Sequence, residues 1–378
     1  LDGWVSRVSA ITEIRNSDST GPLYVITLCP YYLTVNILLY FSLEIVFFVK
    51  QLLQFPVLFM IQNLRKSSAF CAMYSGSLLF ILTIVDSPVF AQLDSLTVVN
   101  THWEAKKVAR GIRLKHYWFN HSLFGSNQNI NILEVKMNRK NKIDIEADPK
   151  VLKPTSEFGI EHDAVAAVNG TFFDMKNGGS EDYIRLDGKT LNETRVGKNN
   201  KRALHQKSAL VVQNGRLLIK QWDGSDDWEA KLPGEDVMVT GPLLLSGHQR
   251  SALDTAAFNT ARHPRSAVAI KGKKLLLITV DGRNERSAGM NLFELASFLK
   301  WVGADDGINL DGGGSTTLWL HGAPDGGVIN HPSDNKAMMK SGAYKPGTDL
   351  DNLAADDKKW DHGGERPVAN VILVNKKK

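Results

Sequence analysis

Along most of the chain, apolar and polar positions follow the two-residue period of strands, and the 3.6-residue period of helices is rare. Asn131-Ile-Leu-Glu-Val-Lys-Met137 alternates as a half-buried strand does, and Lys142-Ile-Asp-Ile-Glu146 repeats the pattern, so the two predict a hairpin across residues 138–141. Ser208-Ala-Leu-Val-Val212 and Arg216-Leu-Leu-Ile219 flank Asn214-Gly215, a two-residue hairpin signal. Ser266-Ala-Val-Ala-Ile270 and Lys274-Leu-Leu-Leu-Ile278 reuse that arrangement around Gly272. Ala164-Val-Ala-Ala-Val168 and Val368 to Val374 are apolar enough for strands buried on both faces. Helical signals are few. Pro154-Thr-Ser156 opens a short helix through Ile160, and Asn291 with Glu294 three places on begins a second, whose apolar spacing ends at Gly303. Hairpins in this number predict an α+β fold: a mixed, largely antiparallel twisted sheet with flanking helices, in one domain.

Three regions depart from that pattern. Leu93 to Gly125 scatters Trp103, His116, Trp118 and His121 among polar residues and gives no clear element. His321 to Arg366 is polar and turn-rich, and its Asp351, Asp356, Asp357 and Asp361 miss calcium-loop spacing, which predicts a solvated loop. The N-terminal quarter is strongly apolar between Tyr24 and Val49, yet Pro30, Asn36 and Glu44 interrupt it, a poor pattern for a spanning helix. From Met60 a short basic leader with Arg65 and Lys66, an apolar segment over 69–85 and Val89-Phe90-Ala91 form an export signal, with cleavage expected after Ala91. The organisation expected is an apolar extension over 1–59, upstream translation or a membrane segment; the signal over 60–91; a lead-in over 92–128; and the main domain over 129–378. An exported chain of this kind is periplasmic or extracellular, and the membrane touches it only through an uncleaved N-terminal segment.

Composition changes this picture little. The chain has 378 residues, 43% of them hydrophobic, enough for a substantial core. The net charge of +5 does not mark a nucleic-acid partner: residues 1–91 are neutral, Lys376, Lys377 and Lys378 supply part of the excess, and no nucleic-acid module is present. Both cysteines, Cys29 and Cys71, precede Ala91, so the main domain has neither disulfides nor a cysteine-held zinc.

The chemistry concentrates where apolar strands run into glycine turns. Gly307-Ile-Asn309-Leu-Asp311 leads into Gly312-Gly313-Gly314-Ser315, and Leu275 to Val280 leads into Asp281-Gly282-Arg283. Bare backbone of this kind lets N–H groups face a ligand, and it is costly to order without a reason. Two carboxylates on glycine turns, with Arg262, Arg265 and Arg283 nearby, suit hydrolysis at an anionic acetal or phosphodiester, since the arginine fork matches phosphate oxygens. From residue types alone, structural Arg–Asp pairing explains them equally well.

Arg262-His-Pro-Arg265-Ser266, Asp281-Gly-Arg283, Ala288-Gly-Met-Asn-Leu292, Asn309-Leu-Asp311-Gly-Gly-Gly-Ser-Thr-Thr317 and Arg366-Pro-Val-Ala-Asn370 occur in an order that resembles the phosphodiester glycosidase family. Asn169-Gly-Thr-Phe-Phe-Asp174 is similar to its upstream motif, with Thr171 where a smaller residue is usual. The resemblance runs from about Asn129 to Val374. It implies a hydrolase that cleaves the glycosidic bond of a sugar-1-phosphodiester, on an envelope or extracellular glycan. The site it implies has Asp281 and Asp311 as acid and base or nucleophile, Arg265 and Arg283 on the phosphate, Asn169 and Asn309 orienting the sugar, and Gly312, Gly313, Gly314 and Ser315 admitting it. No cofactor is required; a divalent metal on Asp311 with Asp281 is the alternative to metal-free catalysis. A serine mechanism at Ser315 lacks its second glycine, because Thr317 stands there. The competing function is a non-catalytic glycan-binding or exopolysaccharide-assembly protein using the same pocket.

Overall fold

The apolar runs beyond residue 91 assemble into three antiparallel sheets that share one core. The computed structural model describes residues 92–197, 201–334 and 360–376, together with strands Ile11–Ile14, Leu23–Leu28 and Val35–Tyr40. Two units divide the chain, Leu1–Val85 and Asp86–Lys378. In the first, the three short strands pair antiparallel in sequence order. The expected export signal over 60–91 lies outside the described residues. No helix among those described is long and apolar enough to cross a membrane.

In the second unit the largest sheet has eight strands. From edge to edge these are Gln249–Arg250, Leu243–Ser246, Asp306–Asn309, Arg265–Lys271, Lys274–Val280, Ser126–Lys136, Ile112–Leu123 and Glu104–Ala109. One face packs Ile130, Ile132, Ala267, Ala269 and Ile278 against Leu292, Leu295, Phe298 and Leu299 of the helix Leu292–Trp301. The other packs Leu133, Val268, Leu275, Leu277 and Ile308 against two smaller sheets. Burial on both faces is why Lys274–Val280 reads as a continuous apolar run rather than an alternation. The four-stranded sheet is ordered Leu318–Leu320, Ala166–Asn169, Asn370–Lys376, Asn141–Ala147; the five-stranded sheet is Lys189–Asn192, Ile184–Leu186, Asp236–Val239, Ser208–Gln213, Arg216–Gln221.

Both Gly-turn hairpins form as expected, with Asn214 and Gly215 at φ 55° and 70° and the second turned at Gly272. Asn291 caps its helix with Glu294 in a reciprocal capping box. Two expectations are corrected. Residues 131–137 and 142–146 are not a hairpin: the first belongs to the eight-stranded sheet and the second pairs with Asn370–Lys376. The chain crosses between sheets there, and Asn138 Oδ1 accepts the N–H groups of Lys140 and Asn141 to make the corner. Nor is 92–128 a lead-in. Residues 92–100 are helical, 104–123 are two strands of the main sheet, and the boundary at 128/129 cuts the strand Ser126–Lys136. Their pattern is unreadable because pairing slips between Phe119 and Leu123, where His121 takes φ 50°.

Candidate active site

Four strand ends converge at one edge. Lys274–Val280 and Asp306–Asn309 both lie antiparallel to the intervening Arg265–Lys271, so they finish on the same side, where that strand begins at Arg265. Asp281 follows the first and Asp311 the second. Ala166–Asn169, from the smaller sheet, ends beside them: Asp311 N–H donates to Gly170 O at 3.0 Å, and Leu310 N–H to Ser266 O at 2.9 Å. One intervening strand separates the two carboxylate-bearing chains by about 10 Å, twice the spacing between neighbouring strands.

Asp311 is partly exposed. Burial of its carboxyl raises the pKa above the usual carboxylate value; the nearby Ser315 hydroxyl, the Arg366 charge, the Gly312 N–H and the Arg265 charge pull it back only in part. The Gly312 N–H donates to Asp311 Oδ1 at 2.9 Å. The turn beyond was expected to admit a sugar. Instead, protein groups occupy the space left by its missing side chains. A β-carbon at Gly313, which has φ 60°, would stand 3.1–3.4 Å from the Arg283 guanidinium, and one at Gly314 would overlap the ion pair of Asp334 and Arg366. Glycine is needed here so that two guanidinium groups can lie against the turn that carries Asp311.

Asp281 is placed differently. It is 0% exposed, and both carboxylate oxygens are engaged: Asn129 Nδ2 donates to Oδ2 at 2.7 Å and the His331 N–H to Oδ1 at 3.0 Å. Burial pushes its pKa up to about 6, against the pull of those two donors, Asn330 and the His362 charge. A neighbouring carboxylate is not the cause of either shift; each is led by desolvation. Asp281 therefore stands behind the surface and anchors the His331 segment. His331 is stacked between Trp360 and His362, with ring centroids 4.0 and 4.4 Å away, and burial lowers its pKa to about 4.

The remaining predicted residues divide by how much of each side chain is already engaged. Asn169 is fully buried and satisfied: Nδ2 donates to Asp311 O at 2.8 Å, and Oδ1 accepts Ser266 Oγ at 2.6 Å and Thr317 N–H at 3.2 Å. It positions the Asp311 turn. Arg265 is buried, with Nε donating to Met290 O and one terminal nitrogen to the carbonyls of Phe258 and Ala261; its guanidinium lies 4.8 Å from the Phe258 ring centre. Desolvation first, then the Arg283 charge, lower its pKa to about 10. Arg283 takes φ 58° and reaches His263 Nδ1 at 3.4 Å. Asn309 donates to Gly241 O and Leu310 O, while its Oδ1 is buried without a partner among the described residues. The buried hydroxyls of Thr171, Ser315, Thr316 and Thr317 likewise have no hydrogen bond of good geometry among those residues. Buried polar atoms without a partner are costly in a fold.

Asn129, Asn330, His331, Asp334 and Arg366 also build this edge, and the sequence reading did not assign them to it. Arg366 and Asn370 carried a signal, since they lie in the last of the ordered motifs. The others are single polar residues in loops or in a strand without clean alternation. Among the described residues no group of three or more His, Cys, Asp or Glu side chains is arranged to hold a metal. A cavity of about 760 Å³ opens beside the helix Leu292–Trp301, lined by Phe124, Arg262, Phe293, Glu294 and Trp301, and includes neither Asp281 nor Asp311.

Residues 162–375 match the family model described as phosphodiester glycosidase, more than half of the chain. N-acetylglucosamine-1-phosphodiester alpha-N-acetylglucosaminidase from Mus musculus is 28% identical over 179 residues, 45% of this chain and 33% of that protein. The Bos taurus protein of the same name is 29% identical over 179 residues, again 45% and 33%. The chain thus spans about a third of the length of these curated relatives. The catalytic domain of the zebrafish protein of that name superposes with a TM-score of 0.49 at 21% identity, over 74% of this chain and 85% of that one.

Proposed function

Because this chain belongs to the phosphodiester glycosidase family, we propose that it hydrolyses the glycosidic bond of a sugar-1-phosphodiester, with Asp311 as the carboxylate that meets the reacting carbon or its attacking water. The observation that carries this reading is that Asp311, unlike Asp281, is a partly exposed residue, on a turn flanked by guanidinium groups. The bond broken is that between the anomeric carbon and the phosphate oxygen. Its electron pair leaves with the phosphate, water adds to carbon, and Asp311 takes the proton or first forms the covalent ester. A phosphate monoester has its second pKa near about 6, so this leaving group needs much less proton assistance than a sugar alkoxide. One reacting carboxylate then suffices for the difficult part, and Asp281 acts from behind the surface.

Arg283 is the phosphate contact, and Arg265 adds its charge from a position fixed by backbone carbonyls. Asn309, Thr171 and Ser315 are buried behind the turn, as Asp281 is, and shape the site from there. The basic leader and apolar segment over 60–85 support export, and with it an envelope or extracellular glycan as the substrate. The test is an assay of reducing-sugar release from a panel of sugar-1-phosphodiesters, beginning with the methyl diester of N-acetylglucosamine 1-phosphate. Turnover by the full chain that is lost in Asp311→Asn supports the reading; binding of the panel without turnover at any pH from 4 to 8 replaces it with the glycan-binding function.

A further inference from the structure

The proposed hydrolysis leaves the sugar without a surface contact, because Asn309, Thr171 and Ser315 lie behind the Asp311 turn. Three rings stand beside that turn with no task in the reaction. The Phe172 ring centre lies 4.8 Å from that of His205 and 5.8 Å from that of Phe258, the second pair edge to face. Phe258 is 39% exposed, the His205 side chain 30%, and Phe172 is half-buried. A single exposed apolar side chain needs no explanation. A contiguous group of rings with a polar member is how proteins hold small ligands that have an apolar face.

Each ring is carried by a segment bonded to the site. Phe172 follows Gly170, whose carbonyl accepts the Asp311 N–H at 3.0 Å. The Phe258 carbonyl accepts from Arg265 at 2.7 Å and its ring centre lies 4.8 Å from that guanidinium; Arg265 in turn packs on Gly312, where a β-carbon would stand 3.6 Å from Arg265 Cδ. His205 packs on Gly241, where a β-carbon would stand 3.0 Å from the His205 carbonyl, and the Gly241 carbonyl accepts Asn309 Nδ2 at 2.9 Å. The rings thus connect to the turn at Asp311 and Gly312, while Arg283 lies against it at Gly313. His205 is the polar member. Its Nε2 lies 3.3 Å from Oδ2 of Asp182, which is 0% exposed and whose Oδ1 accepts Gln206 Nε2 at 2.7 Å. A buried acceptor facing one ring nitrogen orients the imidazole and favours the proton on Nε2, which leaves Nδ1 as an acceptor.

Resting on the reading of this chain as a sugar-1-phosphodiester hydrolase, we propose that Phe172, His205 and Phe258 form its sugar subsite: the phenyl rings take the C–H face of the pyranose, and His205 Nδ1 accepts a hydrogen bond from one of its hydroxyl or amide groups. A pyranose presents C–H groups on one face, which pack on aromatic carbon, and a rim of donors that needs polar partners. In the substrate the anomeric carbon joins this ring to the phosphate. With the rings on the Gly170 side of the turn and Arg283 on the Gly313 side, Asp311 stands where that carbon is. His205 is the specificity-determining residue, because a site with an acceptor held in place rejects a sugar that lacks the matching donor.

The experiment measures, by titration calorimetry on the full chain carrying Asp311→Asn, the binding of methyl phosphate and of the 1-phosphates of N-acetylglucosamine, glucose and mannose; it needs no turnover. Phe172→Ala and Phe258→Ala are each expected to weaken the tightest sugar phosphate about fivefold, the loss of one ring contact worth about 1 kcal/mol, and to leave methyl phosphate unchanged. His205→Phe keeps a ring and loses the acceptor, so it weakens the same ligand about as much and narrows the differences among the three sugars. Equal weakening of methyl phosphate, or no change for any ligand, overturns the proposal and leaves the rings as packing over Arg265; so does failure of all three sugar phosphates to bind. Should Phe172→Ala not fold, Phe258→Ala, at the exposed ring, decides by the same criteria. Unchanged sugar binding beside wild-type turnover of the methyl diester of N-acetylglucosamine 1-phosphate sinks the subsite alone. The expected binding losses in a protein that turns over no diester keep the subsite and sink the hydrolase.

Discussion

Asp281-Gly282 and Asp311-Gly312 are nearly the same object in the sequence: an apolar strand, a carboxylate, a glycine. They stand on the same edge of the same sheet with one strand between them. Their surroundings differ. Asp281 is closed off, each oxygen held by an N–H donor, while Asp311 keeps exposed surface between guanidinium groups. Backbone chemistry explains the placement of both; side chains from remote segments decide which is available for reaction. The repeated motif is therefore a statement about strand ends, and only one of its two copies keeps exposed surface.

The sharpest break in that comparison is Asp311→Asn, expected to lower kcat/KM at least about a thousandfold, some 4 kcal/mol of transition-state stabilisation, while the unfolding midpoint is kept. Measured beside it, Asp281→Asn lowers activity less; equal losses in two well-folded variants would erase the distinction. Asp281 instead shows itself in stability. Its pKa is raised on folding, so its contribution is complete below the unfolded value of 3.8 and is lost as pH rises through about 6. Wild type should accordingly lose about 3 kcal/mol relative to Asp281→Asn between pH 3 and 7, as read by urea denaturation. His331, whose pKa is lowered on folding, has the opposite slope: stability rises with pH through its window, which partly masks Asp281 in the wild type alone. Asn169→Ala leaves Ser266 Oγ and Thr317 N–H without their acceptor and should cost about 2–3 kcal/mol with a parallel fall in kcat, because the Asp311 carbonyl loses its support. The smallest effect belongs to a turn with no ligand to serve. Gly215→Ala, at φ 70°, should cost about 1 kcal/mol in the melting transition and leave kcat/KM unchanged.

What could be read in advance follows the range of the forces involved. Hairpins at Asn214-Gly215 and Gly272 and the capped helix from Asn291 are local, and their signals lie within a few residues. That Asp281 and Asp311 arrive in consecutive strand, helix and strand units was also legible; that both strands run antiparallel to Arg265–Lys271, and so end on one side, is set by the sheet order. Which sheet each strand joins was not: 131–137 and 142–146 alternate like a hairpin, and only pairing with Asn370–Lys376 separates them. Nor could the glycines reveal whether the space above them holds a ligand or Arg283 and Arg366. That depends on residues 30 and 52 positions away, and a bare turn looks the same in either case.

The order of the four-stranded sheet sets when such a site can exist. Its interior strand, Asn370–Lys376, lies between Ala166–Asn169 and Asn141–Ala147 yet follows both by some two hundred residues. Until it arrives, Ala166–Asn169 has an open edge, Thr171 lacks the Asn370 side chain that accepts its N–H, and Arg366 is absent. A nascent chain carries the Asp311 turn well before it carries the means to shape it. Contacts of this sequence separation slow folding, and here they also put the site in order last: the Asp311 turn takes its shape only when Asn370–Lys376 has docked.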